Sequence, residues 1–221
     1  MRLIADRGIM SVAPENTVAA FAACAERKVT AFRTSAGLLA DGTLVCIADT
    51  TLGRTTNLSG AWSGRTFSEI RRADAGAWYS RTFRFERVPE LVSVLSLAAQ
   101  MGVEVFVELH DSARTCDLVD AVEASLRAAP AAEVTLFSAD ARVLAELARR
   151  GTNATLGIAV DANPDLGKGD TVTEGGLVRA ALTANPANVE RLNALGVDVY
   201  YDEVDGSADP TWNLTGLIRQ M

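Results

Sequence analysis

The sequence is poor in the residue types on which many active sites depend. Its 221 residues include one histidine and three cysteines. A single histidine excludes any mechanism in which one histidine acts as the general acid and another as the general base. The cysteines Cys24, Cys46 and Cys116 are odd in number and far apart. This pattern predicts reduced, mostly buried thiols rather than a disulfide framework or a zinc site.

Long apolar runs and basic blocks are also lacking. No apolar segment approaches the ~20 residues that a membrane-spanning helix needs. The net charge is −7, and this acidic balance without a basic patch argues against nucleic acid as a partner. Because Met1 leads directly into an apolar strand with no signal peptide, we expect a cytoplasmic protein of a single domain, residues 1–221.

Short apolar segments alternate with helical patterns along most of the chain. Strands are predicted at residues 3–5, 30–34, 104–109, 134–137, 156–160, 182–186 and 196–202, and helices at residues 17–26, 89–101, 116–128, 140–149 and 187–195. Residues 38–48 form a predicted hairpin with Asp41-Gly42 in its turn. This alternation predicts a parallel sheet closed into a barrel, with ligand-binding groups at the C-terminal tips of the strands.

One segment is too short for this pattern. About 20 residues separate the strand that ends at Val160 from the next apolar segment at Leu182, whereas a βαβ unit takes about 30 residues. We therefore expect an abbreviated or distorted sixth βα unit around residues 161–181, with residues 171–173 as its candidate strand and the barrel partly open there.

Two motifs resemble those of the glycerophosphodiester phosphodiesterases. Residues 6–8 and 14–17 read Asp-Arg-Gly and Pro-Glu-Asn-Thr, where the family has His-Arg-Gly and Pro-Glu-Asn-Thr. The family then has Glu-x-Asp, an Asp-Gly hairpin and a His-Asp-x-x-Leu-x-Arg-Thr-Thr-Asn segment. Here these become Arg-Thr-Ser at residues 33–35, Asp-Gly at residues 41–42 and Ala-Asp-Thr-Thr-Leu-Gly-Arg-Thr-Thr-Asn at residues 48–57. The resemblance covers about residues 3–205 and implies a TIM (β/α)8-type barrel of the phosphodiesterase kind.

The resemblance also implies an active site, of which this chain retains only part. Active members use two histidines as acid and base and three carboxylates that hold a divalent metal. The histidine positions fall on Asp6 and Ala48, and the carboxylate positions fall on Arg33, Ser35 and Glu108. The family's phosphate-contacting arginine falls on Arg7, supported by Glu15 and Asn16, and a family lysine position falls on His110.

These replacements argue against a metal site. A divalent cation needs several oxygen ligands of net negative charge, whereas Asp6 and Glu108 would face two positive charges, Arg7 and Arg33. Our hypothesis is that the guanidinium of Arg33 pairs with Asp6 or Glu108 and occupies the place of the metal. We accordingly expect no metal and no cofactor.

Candidate roles follow from these positions. The catalytic candidates are Asp6, Glu108 and His110, and the substrate-binding candidates are Arg7, Arg33, Glu15, Ser35 and Trp78. Each also has a structural interpretation: the arginines as partners in an ion-pair network, the histidine as a structural residue and Trp78 as loop packing. A thiol at Cys46 is expected to be buried rather than nucleophilic.

Three functions remain open at this point. The first is a repurposed, metal-independent enzyme that isomerises, cyclises or eliminates an anionic or carbonyl-bearing small molecule. The second is a pseudoenzyme that binds a phosphate ester or a protein partner. The third is a residual glycerophosphodiester phosphodiesterase. Capable replacements such as Asp6, Arg33 and His110 favour the first, and the sequence does not indicate the oligomeric state.

Overall fold

The computed structural model describes residues 2–110, 112–159, 180–183, 198–203 and 217–220, with side chains described for residues 4–110 and 112–159. The described strands are β1 (Arg2–Asp6), β2 (Ala31–Leu38), β3 (Leu44–Cys46), β4 (Glu104–Leu109), β5 (Val134–Ser138), β6 (Thr155–Ala159), β7 (Ala180–Thr183), β8 (Asp198–Glu203) and β9 (Leu217–Gln220). The described helices are α1 (Val18–Glu26), α2 (Phe67–Ile70), α3 (Leu91–Met101), α4 (Thr115–Ala128) and α5 (Ala141–Arg149), with a short 3-10 helix at Arg81–Phe83.

The sheet closes on itself, which confirms the predicted α/β barrel. Parallel pairing runs from β1 through β2, β4, β5, β6 and β7 to β8. Strand β9 then fills the gap between β8 and β1 and is antiparallel to both. The sequence did not indicate β9, so one wall of this barrel differs from the eight parallel strands that we expected.

The predicted irregularity at residues 161–181 falls largely outside the described residues. What is described there is the pairing of β6 directly with β7, which sets Gly157 opposite Ala180. The candidate strand at residues 171–173 and the predicted helix at residues 187–195 lie outside the described residues. The barrel wall is therefore continuous from β6 to β7 without an intervening strand at this pairing.

The hairpin and the first helix follow from local sequence signals. Strand β3 pairs antiparallel with β2, and Gly42 in the connecting turn has a φ of 86° that suits glycine. The Thr17 hydroxyl caps α1 by accepting a hydrogen bond from the backbone N–H of Ala20. Both features agree with the prediction, and both lie beside the C-terminal tips of β1 and β2.

Alternation along the strands separates an outer core from the barrel interior. The outward residues Val105, Val107 and Leu109 of β4 join a large apolar cluster that includes Leu95 of α3 and Leu118 of α4. The inward residues form a separate buried cluster at mid-barrel, composed of Ile4, Ala31, Phe106 and Phe137. This apolar plug lies below the C-terminal mouth and keeps the polar residues of the mouth above it.

Gly157 is part of the packing of this plug. A Cβ built at Gly157 would clash with the Phe137 ring, at a separation that real Cβ atoms do not show, and that ring lies 6.1 Å from the ring of Phe106. A side chain at position 157 would not fit, because the interior of the barrel is close-packed.

Substitution of Gly157 by alanine should consequently destabilise the barrel. We expect Gly157→Ala to lower the free energy of unfolding by about 1–3 kcal/mol through overpacking. Gly64→Ala is the control, since a Cβ there meets nothing within 4 Å, and it should change stability by less than ~0.5 kcal/mol. Urea unfolding of both variants tests this, and equal effects would show that the contact with Phe137 is not limiting.

Candidate active site at the barrel mouth

The centre of the mouth is an ion-paired triad built on Arg33. Its Nε donates to Oδ1 of Asp6 at 2.7 Å, and its Nη1 donates to Oε2 of Glu108 at 2.8 Å. Asp6 and Arg33 are neighbours across the β1–β2 pairing, and Ser35 lies opposite Glu108 across β2–β4. Arg33 and Asp6 have side chains only 8% exposed, whereas Glu108 is 34% exposed. One guanidinium thus joins carboxylates from the strands on both sides of it.

The turn after β1 brings a second arginine to the same place. Arg7 has a φ of 56° and Asn16 a φ of 52°, conformations that non-glycine residues adopt at a cost and that often occur at functional sites. The backbone holds both in position, since Arg7 N–H donates to the Arg33 carbonyl and Asn16 N–H donates to the Arg7 carbonyl. The Thr34 hydroxyl also donates to Oδ1 of Asn16 at 2.9 Å.

A third arginine, Arg54, extends the network. Its Nη1 and Nη2 donate to the two oxygens of Glu15, each at 2.7 Å, and its Nε and Nη2 donate to Asp49 at 2.6 and 2.9 Å. Such forked pairs fix both partners in orientation as well as in distance. Glu15 in turn accepts from Nη1 of Arg7 at 3.2 Å.

The result is an alternating series of seven charges across the mouth. In order they are Asp49, Arg54, Glu15, Arg7, Asp6, Arg33 and Glu108. Hydrogen bonds from Arg54 lower the pKa of the Asp49 carboxyl; partial burial opposes this shift, and the charges of Arg54, Arg7 and His110 add to it. Glu15 and Asp49 in turn raise the pKa of Arg54.

His110 lies beside the outer end of this series. Its Nε2 is 2.8 Å from the carbonyl oxygen of Ile47, and because a carbonyl oxygen can only accept, Nε2 carries the hydrogen. In the neutral ring Nδ1 is then the acceptor. The ring centroids of Trp62 and His110 are 5.3 Å apart. Nε1 of Trp62 donates to the carbonyl oxygen of Asp49. Trp62 fits here because Gly37 leaves room: a Cβ at Gly37 would stand 2.5 Å from the indole.

The residues at the mouth do not fit a divalent metal. Within the described part of the chain, no group of three or more His, Cys, Asp or Glu side chains is placed to hold one. Asp6 and Glu108 are instead separated by the guanidinium of Arg33, and this cation takes up lone pairs that a metal would need. The predicted pairing of Arg33 with Asp6 or Glu108 is confirmed, and Arg33 pairs with both.

The other residues singled out from the sequence occupy varied positions. Ser35 is buried on β2 next to Glu108. Trp78 is 43% exposed and contacts Ala75 and Tyr79 in its own loop. Cys46 lies in the outer apolar cluster, and burial raises the pKa of its thiol to about 12, with a hydrogen bond involving Thr34 opposing the rise. Such a thiol is a poor nucleophile.

Three residues of the site were not among the candidates predicted from the sequence. Asp49 and Arg54 belong to the motif at residues 48–57, so the motif itself was the available signal. Trp62 was not recognisable as a neighbour of His110, because the contact joins residues 48 positions apart through the loop after β3.

Comparisons with known proteins agree with this fold. The chain folds as an α/β barrel with polar groups at the C-terminal tips of its strands, where proteins of this fold hold their ligand-binding and catalytic groups. The model of the glycerophosphoryl diester phosphodiesterase family matches residues 7–214. The chain therefore belongs to the glycerophosphoryl diester phosphodiesterase family.

Individual relatives match over part of their length. A glycerophosphodiester phosphodiesterase of Caldanaerobacter subterraneus is 37% identical over 107 residues, which is 48% of this chain and 44% of that protein. The chain thus spans less than half the length of the curated relatives that it matches first.

Solved structures match over more of the chain. A phosphodiesterase of Oleispira antarctica in complex with the product sn-glycerol-3-phosphate has a TM-score of 0.80 at 21% identity, over 96% of this chain and 86% of that one. A glycerophosphodiester phosphodiesterase of Agrobacterium tumefaciens has a TM-score of 0.69 at 24% identity, over 89% and 84%. At these identities the structures support the fold alone.

These comparisons change which of the three functions left open by the sequence is favoured. They do not support the isomerase, cyclase or lyase that we favoured from the sequence, and they favour the phosphodiesterase alternative. A small-molecule ligand is consistent with the barrel mouth, whereas the assignment to the cytoplasm remains a prediction.

The metal prediction follows from the triad. We expect the wild-type chain to show no tight, stoichiometric binding of Mg²⁺ or Ca²⁺ by calorimetry. Arg33→Glu/Ser35→Asp adds two carboxylates beside Glu108 and should gain Ca²⁺ binding with a Kd of roughly 10⁻⁴–10⁻³ M. The gain should disappear when Glu108→Ala is added.

A charge-matched control separates a site from a general effect. Arg127→Glu/Ser68→Asp makes the same change in net charge on exposed surface and should gain no Ca²⁺ binding. Tight binding by the wild type that is lost in Glu108→Ala would show that Arg33 does not exclude the metal.

Proposed function

We propose that this chain binds a glycerophosphodiester at the barrel mouth and hydrolyses it slowly, as a phosphodiesterase whose active site has diverged from the family's pattern. The observation that carries the proposal is the guanidinium of Arg7, which is held at the mouth yet has a side chain 30% exposed. Its Nη1 donates to Glu15, and its buried Nε faces Oδ2 of Asp6 at 3.5 Å without a hydrogen bond. Within the described part of the chain, Nη2 therefore has no hydrogen-bond partner. An arginine that is held by a carboxylate but incompletely satisfied is well suited to a phosphate oxygen.

Two further groups support a phosphate ligand. Arg54 is 44% exposed, so a second guanidinium is accessible at the mouth, held by Glu15 as Arg7 is. Arg54 pairs with Asp49 and shares Glu15 with Arg7. Trp62, whose ring lies beside that of His110, donates to the carbonyl oxygen of Asp49, so these groups lie around one end of the mouth. Two arginines with fixed orientation can stabilise the negative charge that develops on a phosphoryl group.

The mouth offers a candidate general base, His110, but no second histidine to act as the general acid. A water molecule would attack phosphorus and lose its proton to Nδ1 of His110, while Nε2–H stays bonded to the Ile47 carbonyl. The alcohol would leave with a proton taken from solvent, since the chain has one histidine and Ala48 stands where the resemblance implies the other. Absence of one general acid typically costs about 10²–10⁴ in rate.

Asp6 and Glu108 have a different role in this proposal from the catalytic one that the sequence suggested. Both accept hydrogen bonds from Arg33, so their first function is to hold that arginine. Arg33 in turn keeps positive charge below the phosphate-binding position. The proposed chemistry therefore passes through Arg7, Arg54 and His110.

A second candidate function is binding without turnover. The observation in its favour is the same triad, because a guanidinium fixed by two carboxylates cannot move toward a reacting group without breaking both pairs. A glycerol phosphate ligand would then occupy the mouth without being transformed.

An assay with glycerophosphocholine and a chromogenic diester, each with Mg²⁺, Ca²⁺ or EDTA, distinguishes these functions. With an active family member as control, we expect turnover at least ~10²-fold below the control and insensitive to EDTA. His110→Gln keeps a donor for the Ile47 carbonyl but lacks the base, and it should lower the remaining rate by about 10²-fold.

Other results would point elsewhere. Metal-dependent turnover near the control would mean that the site works as in active members. Calorimetric binding of glycerol 3-phosphate without turnover would select the second candidate function, and neither binding nor turnover would contradict both. A rate unchanged in His110→Gln would exclude this histidine as the base.

A further inference from the structure

The segment that contains α2 and the loop leading to α3 concentrates positive charge in an acidic protein. Residues 65–87 contain six arginines and three carboxylates, a net charge of +3, whereas the whole chain carries −7. The overall composition had indicated no basic patch, and the structure corrects this, because the loop exposes five of these arginines: Arg71, Arg72, Arg81, Arg84 and Arg87. Within the described part of the chain, none of the five makes an ion pair with a carboxylate.

The same loop exposes aromatic side chains. Among the described residues, the exposed large hydrophobic side chains are Val18, Trp78 and Phe85, and two of the three lie in this loop. Phe85 is 62% exposed, and the guanidinium carbons of Arg84 and Arg87 lie 5.0 and 6.0 Å from its ring centre. The ring of Phe85 therefore stands directly beside two cations at the surface.

The backbone holds Phe85 outward at some cost. Its φ is 76°, a conformation that is unfavourable for a bulky residue. Its N–H donates to Oδ2 of Asp74, whose Oδ1 accepts from Gly76 and Ala77. Burial alone would raise the pKa of Asp74, but these backbone hydrogen bonds outweigh it and lower the pKa. Asp74 thus fixes the loop in the shape that exposes the ring.

We infer that the face formed by Arg72, Trp78, Arg81, Arg84, Phe85 and Arg87 docks on the surface of an anionic lipid membrane. Such a surface presents phosphate and carboxylate groups for the arginines, with an apolar layer immediately beneath them for the rings. A nucleic acid offers anionic groups but no apolar layer of this kind, and its extended charge would be repelled by the acidic remainder of the chain. No helix in the described part of the chain has the length and apolar character to cross a bilayer. The proposed contact is one of a surface loop with the lipid headgroups and the apolar layer beneath them.

Docking at this face would place the barrel mouth near the lipid surface. The Asp74 N–H donates to Oδ1 of Asn57, and the Asn57 N–H donates to the Asp74 carbonyl. Asn57 ends the motif that supplies Arg54 to the mouth, so the docking loop and the site are joined by this pair of hydrogen bonds. The inference does not depend on turnover, since binding to lipid can be measured without it.

The test is sedimentation of the full chain with vesicles of phosphatidylcholine alone or with about one third phosphatidylserine. We expect binding to the anionic vesicles only, and we expect it to weaken as salt is raised because surface charges are screened. Arg81→Ser/Arg84→Ser should weaken this binding about 20- to 30-fold, since each arginine near an anionic surface contributes about fivefold.

Phe85→Gly tests the ring separately from the fold. Glycine accepts the positive φ without strain, so the variant should unfold no more easily than the wild type while binding anionic vesicles at least about fivefold more weakly. The control for the arginine variant is Arg127→Ser/Arg149→Ser, which removes the same charge from arginines 69% and 70% exposed and should bind vesicles as the wild type does.

Several outcomes would overturn the inference. These are equal binding to neutral and anionic vesicles, no binding to either, an equal loss in the control variant, or unchanged binding in both loop variants. Binding to heparin without binding to vesicles would likewise contradict it, because it would reveal a site for soluble polyanions instead of a lipid surface.

Discussion

The pairing of Arg33 with Asp6 and Glu108 is the interaction on which the rest of the site depends. Two carboxylates, from β1 and β4, face the barrel axis. Without a cation between them, the buried Asp6 would keep only the longer ion pair with Arg7, at 3.5 Å, and Glu108 would lose its pairing with Arg33. Arg33 on the intervening strand supplies that cation from the chain itself. The side chain of Arg33 thereby balances the negative charge of Asp6 and Glu108. Arg7, Glu15, Arg54 and Asp49 continue the alternation of positive and negative charges toward the outside of the mouth.

This constraint connects the fold to the proposed function. The apolar plug of Ile4, Ala31, Phe106 and Phe137 closes the barrel below the mouth, so a ligand can approach only from the side of the strand tips. There it would meet Arg7 and Arg54, which are partly exposed, before it met Arg33, which is buried. The motifs that hold these arginines are those that resemble the family, so the proposed phosphate-binding position rests on residues that this chain shares with it.

The sequence predicted those parts that depend on local pattern. Alternation placed Asp6, Glu108 and His110 at strand tips, and the pairing of Arg33 with Asp6 or Glu108 followed from the positions that the family resemblance assigns to these residues. What the sequence did not show depends on contacts between distant segments. Strand β9, from the C-terminal part of the chain, closes the barrel, and Trp62 contacts His110 through a loop. The exposed arginines of residues 71–87 stand on a loop whose backbone Asp74 holds by hydrogen bonds.

A crystal structure determined with saturating calcium chloride and glycerol 3-phosphate would show whether Arg33 holds the place of a metal. We predict the Arg33 guanidinium between Asp6 and Glu108, the phosphate against Arg7, and no calcium bound to Glu108. Calcium within ~2.3–2.6 Å of a Glu108 oxygen, with Arg33 displaced from both carboxylates, would contradict this arrangement.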